Sequence, residues 1–362
     1  MPTVASVLAE LNVRAPGDKA AHWDSHGLQV GDPSLEVGRL AVCHEVTESV
    51  AARAIEEAVD LLVTYHPLLF RPTTRLVVGS GPNGRAFRLA RAGVGVATVH
   101  TAWDAAAGGT VDALAAAIGL EQLRRFGPIE PSAASKLVTF VPAAAADLVA
   151  SALADAGAGR IGNYTACSFR SEGTGTFLPG PGARPVVGGI GGLNLEREIR
   201  LEVLVAKELE AKALAALVGS HPYEEPAFDL YEVRANPGLI GRVGNLDRAM
   251  PLGDLADNVR KALGGSGRCA GDQAREVLSV AVVPGSGGSF LEAASASGAD
   301  VFITGDLSHH DTRAALDLGM GTIDPGHAAS ERPGVLRLVS LARTIIPEVI
   351  DLTDDAIPWK EN

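Results

Sequence analysis

Residues 40–68 read LAVCHEVTESVAARAIEEAVDLLVTYHPL. Leu40 to His44 is a short apolar run. From Glu48 to Ala58 the apolar positions take helical spacing, and acidic residues stand near the start, where they complement the positive end of a helix dipole. Asp60 to Tyr65 has the composition of a strand buried on both faces, and His66-Pro67 ends it. This strand-helix-strand unit predicts an α/β protein, and the same grammar continues on both sides. Ala86 to Arg91 and Thr110 to Ile118 are expected helices, the second with Gly119 placed to end it, and Val94 to Val99 is an expected strand.

The alternation returns late in the chain. Val277 to Val283 is an expected strand running into the loop Pro284 to Ser289. Phe290 to Ser297 and His309 to Leu318 are expected helices, and Asp300 to Thr304 and Gly321 to Asp324 expected strands. Such alternation predicts a largely parallel or mixed sheet covered on both faces.

Between these halves the pattern changes. Lys136 to Val141, Ala143 to Ala156, two short segments at Thr165 to Phe169 and Thr174 to Phe177, then Ile199 to Val205, Glu208 to Leu217 and Ala227 to Val233 give a strand-helix-strand-strand-helix-strand order. That order suggests a ferredoxin-like α+β unit. The Gly/Pro-rich stretch Leu178 to Leu193 interrupts either regular period and reads as a loop. The expected organisation is one α/β domain built from residues 1–131 and 239–362, interrupted by an inserted domain at 132–238.

Composition narrows the function. The 362 residues are 46% hydrophobic, with 42 glycines and 21 prolines in no collagen-like period, so the chain is globular and rich in loops. Net charge is -12 with no basic block, which disfavours binding to a phosphate backbone but leaves room for a local basic pocket or a metal in an acidic cleft. The three widely spaced cysteines, Cys43, Cys167 and Cys269, read as reduced and mostly buried thiols of a cytoplasmic protein. Neither a signal peptide nor an apolar stretch of membrane-spanning length is evident.

Three segments put metal-capable side chains beside expected strand ends. His66 follows a buried strand and precedes Pro67, which restrains it toward an extended backbone at the strand's carboxyl end, where α/β sheets bind ligands; a locally bonded turn histidine fits the same position. Asp104 follows His100 by four residues. A carboxylate there can bridge cations or cap a turn, and His100 can ligate or hold Asp104 from behind. His327 and Glu331 share one helical face if the helix begins at or just before His327. If it begins at Ser330, the turn after Pro325-Gly326 must bring them together, and Glu331 can equally be a residue favoured at a helix start. Asp306, His309, His310 and Asp311 crowd another strand-to-helix junction. Asp306 can cap that helix, and either histidine is a candidate acid/base or substrate contact. The loop from Gly285 to Ser289 either offers backbone donors to an anion or is an ordinary tight turn.

Taken together, Trp23-Asp24-Ser25-His26-Gly27-Leu28-Gln29-Val30-Gly31, His66-Pro67-Leu68, His100 to Asp104, Thr304-Gly305-Asp306, Gly326-His327 and Glu331 resemble the GTP cyclohydrolase 1 type 2 homologs, or Nif3-like dinuclear metal-centre proteins. His221-Pro222-Tyr223-Glu224-Glu225-Pro226 is similar to longer members that carry a PII/CutA-like insert. The resemblance implies an αβα-layered domain, a ring-like homohexamer and two divalent ions per subunit, zinc, iron or manganese, held by His66, Asp104, His327 and Glu331. It also implies metal-dependent hydrolysis of a nucleotide or phosphoester, or else a metal-binding regulatory or assembly role. The family's remaining ligand position falls on Tyr65, whose phenol must ionise from near 10 to bind a metal. His44, ending a neighbouring strand, is the candidate substitute.

Overall fold

The computed structural model describes residues 1–129, 134–161, 164–233, 238–264 and 267–354. The chain forms two compact units, Met1–Glu130 with Pro237–Asn362, and Pro131–Asn236. The expected junction at 131/132 lies outside the described residues.

The larger unit begins with α1 (Val4–Arg14), β1 (Gly27–Val30), β2 (Arg39–Cys43), α2 (Glu48–Glu56), β3 (Leu61–Thr64), α3 (Gly81–Arg91), β4 (Gly95–Thr98), α4 (His100–Ala105), α5 (Thr110–Ala117) and β5 (Glu121–Ile129). The smaller unit contributes β6 (Ala134–Pro142), α6 (Ala146–Asp155), β7 (Ser168–Phe177), β8 (Asn194–Ala206), α7 (Glu210–Ser220) and β9 (Phe228–Val233). The chain returns with β10 (Gly238–Pro251), α8 (Leu252–Leu263), β11 (Arg268–Ala270), β12 (Glu276–Ser286), α9 (Leu291–Ala296), β13 (Val301–Gly305), α10 (His309–Asp317), β14 (Gly321–Asp324), α11 (His327–Ile345) and β15 (Glu348–Asp351).

The larger unit holds two mixed sheets where one was expected. The first has the order β1-β4-β3-β2-β15, parallel except for β1; the second has the order β11-β14-β13-β12-β10-β5, with β12, β13 and β14 parallel. Alternate residues of each central strand face opposite cores, as a period of two requires. In β2 and β3, Leu40, Val42, Leu61 and Val63 meet α1 and α11, while Ala41, Cys43 and Leu62 meet α2 and α3. In β12, Val280 and Val282 meet α5 and α8, while Ala281 and Val283 meet α9 and Ala315 of α10. Helix α11 packs on β2 and β15 of one sheet and on β12 and β13 of the other. Each sheet is therefore covered on both faces, and α11 is common to both.

The close approach of α11 to α5 depends on Gly334, where a Cβ would come within 2.4 Å of the Thr110 Cα. Gly238 of β10 pairs with Ile129 of β5, so the larger unit's two chain ends are neighbours in one sheet. That adjacency lets the smaller unit interrupt the chain without breaking the sheet.

The smaller unit has the β-α-β-β-α-β order with an antiparallel sheet β7-β8-β6-β9, packed on α6 and α7 through Leu137, Val141, Leu153, Leu201 and Leu217. The two short strands expected at Thr165 to Phe169 and Thr174 to Phe177 are one strand, β7, because its glycines pair with β8 without interrupting the ladder. Here His221 accepts from the Tyr223 N–H at Nδ1, 3.1 Å, so its Nε2 carries the proton and donates to the Phe140 carbonyl, 3.0 Å. This neutral imidazole clips the 221–226 turn to β6.

Cys43 is buried, and burial pushes its thiol up to about 12; Cys167 and Cys269 are only half-buried, and all three are free. The expectation of mostly buried thiols holds for one of them. No helix among the described residues is long and apolar enough to cross a membrane.

Candidate metal centre

Register brings the candidate ligands together. Cys43, Thr64 and Thr98 are direct partners at the carboxyl ends of the parallel strands β2, β3 and β4. The residues that follow must therefore emerge side by side. His66 N–H donates to the His44 carbonyl at 2.9 Å, and His100 N–H to the Tyr65 carbonyl at 3.1 Å. From the second sheet, β14 turns at Gly326 directly into α11, which starts at His327. The four-residue spacing then puts His327 and Glu331 on one face, with Nε2 to Oε1 at 3.1 Å.

Glu331 is the hub. Its carboxylate is 96% buried and stands 2.7 Å from His44 Nε2 and 3.2 Å from His66 Nε2 through Oε2, and 3.5 Å from the Tyr65 hydroxyl through Oε1. Burial alone would favour the neutral acid, but the charge of His66 and hydrogen bonds from His327, His44 and His66 hold it well below the usual carboxylate range. The partners respond in the opposite sense. His66 is desolvated, which disfavours its cation, yet attraction to Glu331 and Glu45 raises it to about 10. His327 is raised to about 9, chiefly by its bond to Glu331.

Asp104, on α4, meets the cluster through Tyr65, whose hydroxyl donates to its Oδ1 at 2.6 Å. It does not cap a turn. Burial raises Asp104 to about 6 and raises Tyr65 well above its ordinary value, reinforced by the carboxylates of Asp104 and Glu331. Tyr65 is therefore a neutral donor facing two carboxylates.

A second ring of contacts orients these groups. Asp306 accepts from His327 Nδ1 at 2.7 Å, which leaves Nε2 directed at Glu331. It is not a helix cap: Ser308 caps α10 in a reciprocal capping box with Asp311. His100 Nδ1 lies 2.7 Å from Asp24 Oδ1, and the Thr101 N–H donates to the same carboxylate at 3.0 Å. His100 is thus anchored to Asp24 through Nδ1, while its ring stays beside those of His66 and Tyr65, at 5.3 and 5.7 Å. Asp24 was not foreseen as a functional residue, although it lies inside the Trp23 to Gly31 motif. His100 (φ 29°) and Asp306 (φ 54°) both occupy the left-handed region, a conformation costing a non-glycine residue about 1–3 kcal/mol that is concentrated at functional sites.

On α10 His309 and His310 meet edge to face, with centroids 5.5 Å apart and planes at 81°, and neither lines the cleft above the Glu331 cluster. In the loop after Val283, two backbone donors are already engaged: Gly285 N–H donates to Ser330 Oγ and Gly287 N–H to Thr304 Oγ1. Pro284 to Ser286 in fact extend β12. Gly285 (φ 63°) passes so close to the hub that a Cβ there would stand 2.5 Å from Glu331 Oε1.

The donors suit a borderline divalent ion. His44, His66 and Glu331 each offer a ligand atom, all within 4.8 Å of one another. Nitrogen and oxygen donors around zinc stand roughly 3.3 Å apart, a spacing the Glu331 contacts already approach. The cluster opens into a cleft of about 1160 Å³ lined by groups that include Trp23, Phe70, Arg71 and Arg85.

A family model described as Duf34/NIF3 (NGG1p interacting factor 3) matches residues 2–353. The chain belongs to this family. The GTP cyclohydrolase 1 type 2 homolog of Bacillus subtilis (strain 168) is 38% identical to this NIF3-family chain over 329 residues, 89% of the chain and 88% of the relative. The protein of the same name from Mycobacterium tuberculosis (strain ATCC 25618 / H37Rv) is 36% identical over 341 residues, 91% and 88% of the two chains. The crystal structure of the Bacillus cereus protein related to NIF3 superposes with a TM-score of 0.65 at 31% identity, covering 100% of this chain and 99% of that one.

Proposed function

We propose that the chain is a metal-dependent hydrolase of a nucleotide or phosphoester, with His44, His66, His327, Asp104 and Glu331 holding up to two divalent ions of zinc, iron or manganese. The observation that carries this reading is the convergence of three imidazoles on one buried carboxylate beneath an open cleft. A divalent ion in such a site supplies Lewis-acid polarisation and acidification of water. The chain's own groups do the rest. Asp306 presents His327 through Nε2, Tyr65 keeps Asp104 in place, and the cleft admits a ligand-sized molecule. The relatives' name adds ring opening of a purine nucleotide to the reactions worth testing. The reading includes a cytoplasmic homohexamer and a PII/CutA-like smaller unit that serves structural packing or subunit contact.

A metal-binding regulatory or assembly role is the second reading. Tyr65 favours it: a neutral phenol that engages Asp104 satisfies a carboxylate which would otherwise serve a second ion.

Metal content of untagged, anaerobically purified protein, followed by a nucleotide and phosphoester hydrolysis screen, separates the readings. About two ions per chain with metal-dependent turnover supports the two-metal hydrolase. One ion or none, without turnover in the screen, moves the chain to the second reading.

A further inference from the structure

Aromatic residues make up only 4% of the chain, yet two of them stand half in water on the wall of one cleft. Trp23 is 51% and Phe70 50% exposed. Their rings meet at 66° with centroids 6.0 Å apart, and Trp23 meets His100 at 69° and 5.9 Å. His100 in turn lies 5.3 Å from His66. Trp23 is thus two ring contacts from a candidate metal ligand. The remaining exposed ring surface forgoes hydrophobic stabilisation that a planar ligand would recover by stacking.

Positive charge stands beside the pair. Arg71 follows Phe70 directly, lines the same cleft and has no ion-pair partner among the described residues. Arg85 also lines it. Its Nη1 is 3.2 Å from Glu48, but its Nε is buried without a hydrogen-bond acceptor. The acidic groups nearby are engaged: Glu48 pairs with Arg85 and Arg88, and Glu45 faces His66. In a chain of net charge -12, this wall presents positive charge that would attract an anion.

We infer that Trp23 and Phe70 form a ring-binding lip and that Arg71 receives the ligand's anionic group, so that the cleft selects a nucleotide over a phosphoester without a ring. The inference rests on the reading of this cleft as a substrate site. It adds which of the two ligand classes is taken and which side chains choose it. A ring stacked on Trp23 stands on the His100 side of the cleft, two ring contacts from His66, with its phosphate toward the arginines.

The test is calorimetric titration of the metal-loaded protein with guanosine monophosphate, adenosine monophosphate, guanosine and ribose 5-phosphate, with metal content and oligomeric state read on the same samples. Trp23→Leu and Phe70→Leu are each expected to weaken the two nucleotides about 10-fold while leaving ribose 5-phosphate within about twofold, because base stacking on an aromatic side chain is lost. Arg71→Ala is expected to weaken the phosphate-bearing probes and leave guanosine unchanged. Equal loss of ribose 5-phosphate and nucleotides in the ring variants overturns the inference. So does unchanged nucleotide affinity, with or without an altered oligomeric state; an altered state would assign the lip to contact with a second copy. Wild-type protein that holds no metal yet distinguishes nucleotide from ribose 5-phosphate removes the hydrolase reading and retains the lip.

Discussion

His44 Nε2 lies 2.7 Å from Glu331 Oε2, although 287 positions separate the two residues. One directly follows a strand of the first sheet and the other stands in the first turns of a helix that leaves the second. Their contact places a third imidazole on the hub where Tyr65 supplies none. His44→Ala should therefore lower metal content per chain. Loss of an outer hydrogen bond alone costs metal sites roughly 10–100-fold in affinity, and loss of a donor should cost at least as much. Content equal to wild type, measured by plasma mass spectrometry on folded protein, would remove His44 from the centre.

Tyr65→Phe removes the hydroxyl that donates to buried Asp104. A buried carboxylate left without that donor should destabilise the protein by about 1–3 kcal/mol, read as a lower melting temperature. Tyr65→His places an imidazole at the same point and should raise metal content per chain. If stoichiometry stays at the wild-type value in Tyr65→His, the phenol is not what limits the centre.

Gly285→Ala adds one methyl group at a positive φ, against Glu331 Oε1. The backbone strain is about 1–2 kcal/mol, but the displaced carboxylate belongs to the hub. Metal content should fall far more than stability does. A variant that melts much earlier yet binds metal at the wild-type level would contradict this.

Without metal, His66 and His327 keep their protons to about 10 and about 9, above their ordinary 6.5. Their pairing with Glu331 therefore stabilises the chelated protein fully below about 6.5, and the contribution is lost as pH rises through those raised values. Glu331, held low, contributes above about 4.5 and loses that contribution as pH falls through its depressed value. A bound ion must displace the imidazole protons, so the gain in melting temperature on adding zinc should be larger at about pH 9 than at about pH 6. Equal gains at both would show that these imidazoles are not displaced by the metal.

Period and composition alone identified the alternating strands and helices that flank a differently built middle. They also marked the strand ends that carry His44, Tyr65-His66 and His100, because a buried parallel strand is an unbroken apolar run and its end is where polarity returns. The spacing of His327 and Glu331 was legible for the same reason, being one helical turn. Other features depend on contacts between distant segments. The separation into two sheets about α11, the turning of His100 toward Asp24, and the use of Asp306 to orient His327 rather than to cap α10 belong to this group. Local sequence sets which groups stand at the end of each strand. Which of them meet depends on strand register and on how far α11 can approach its neighbours at Gly334, and those are properties of packing between elements far apart in the chain.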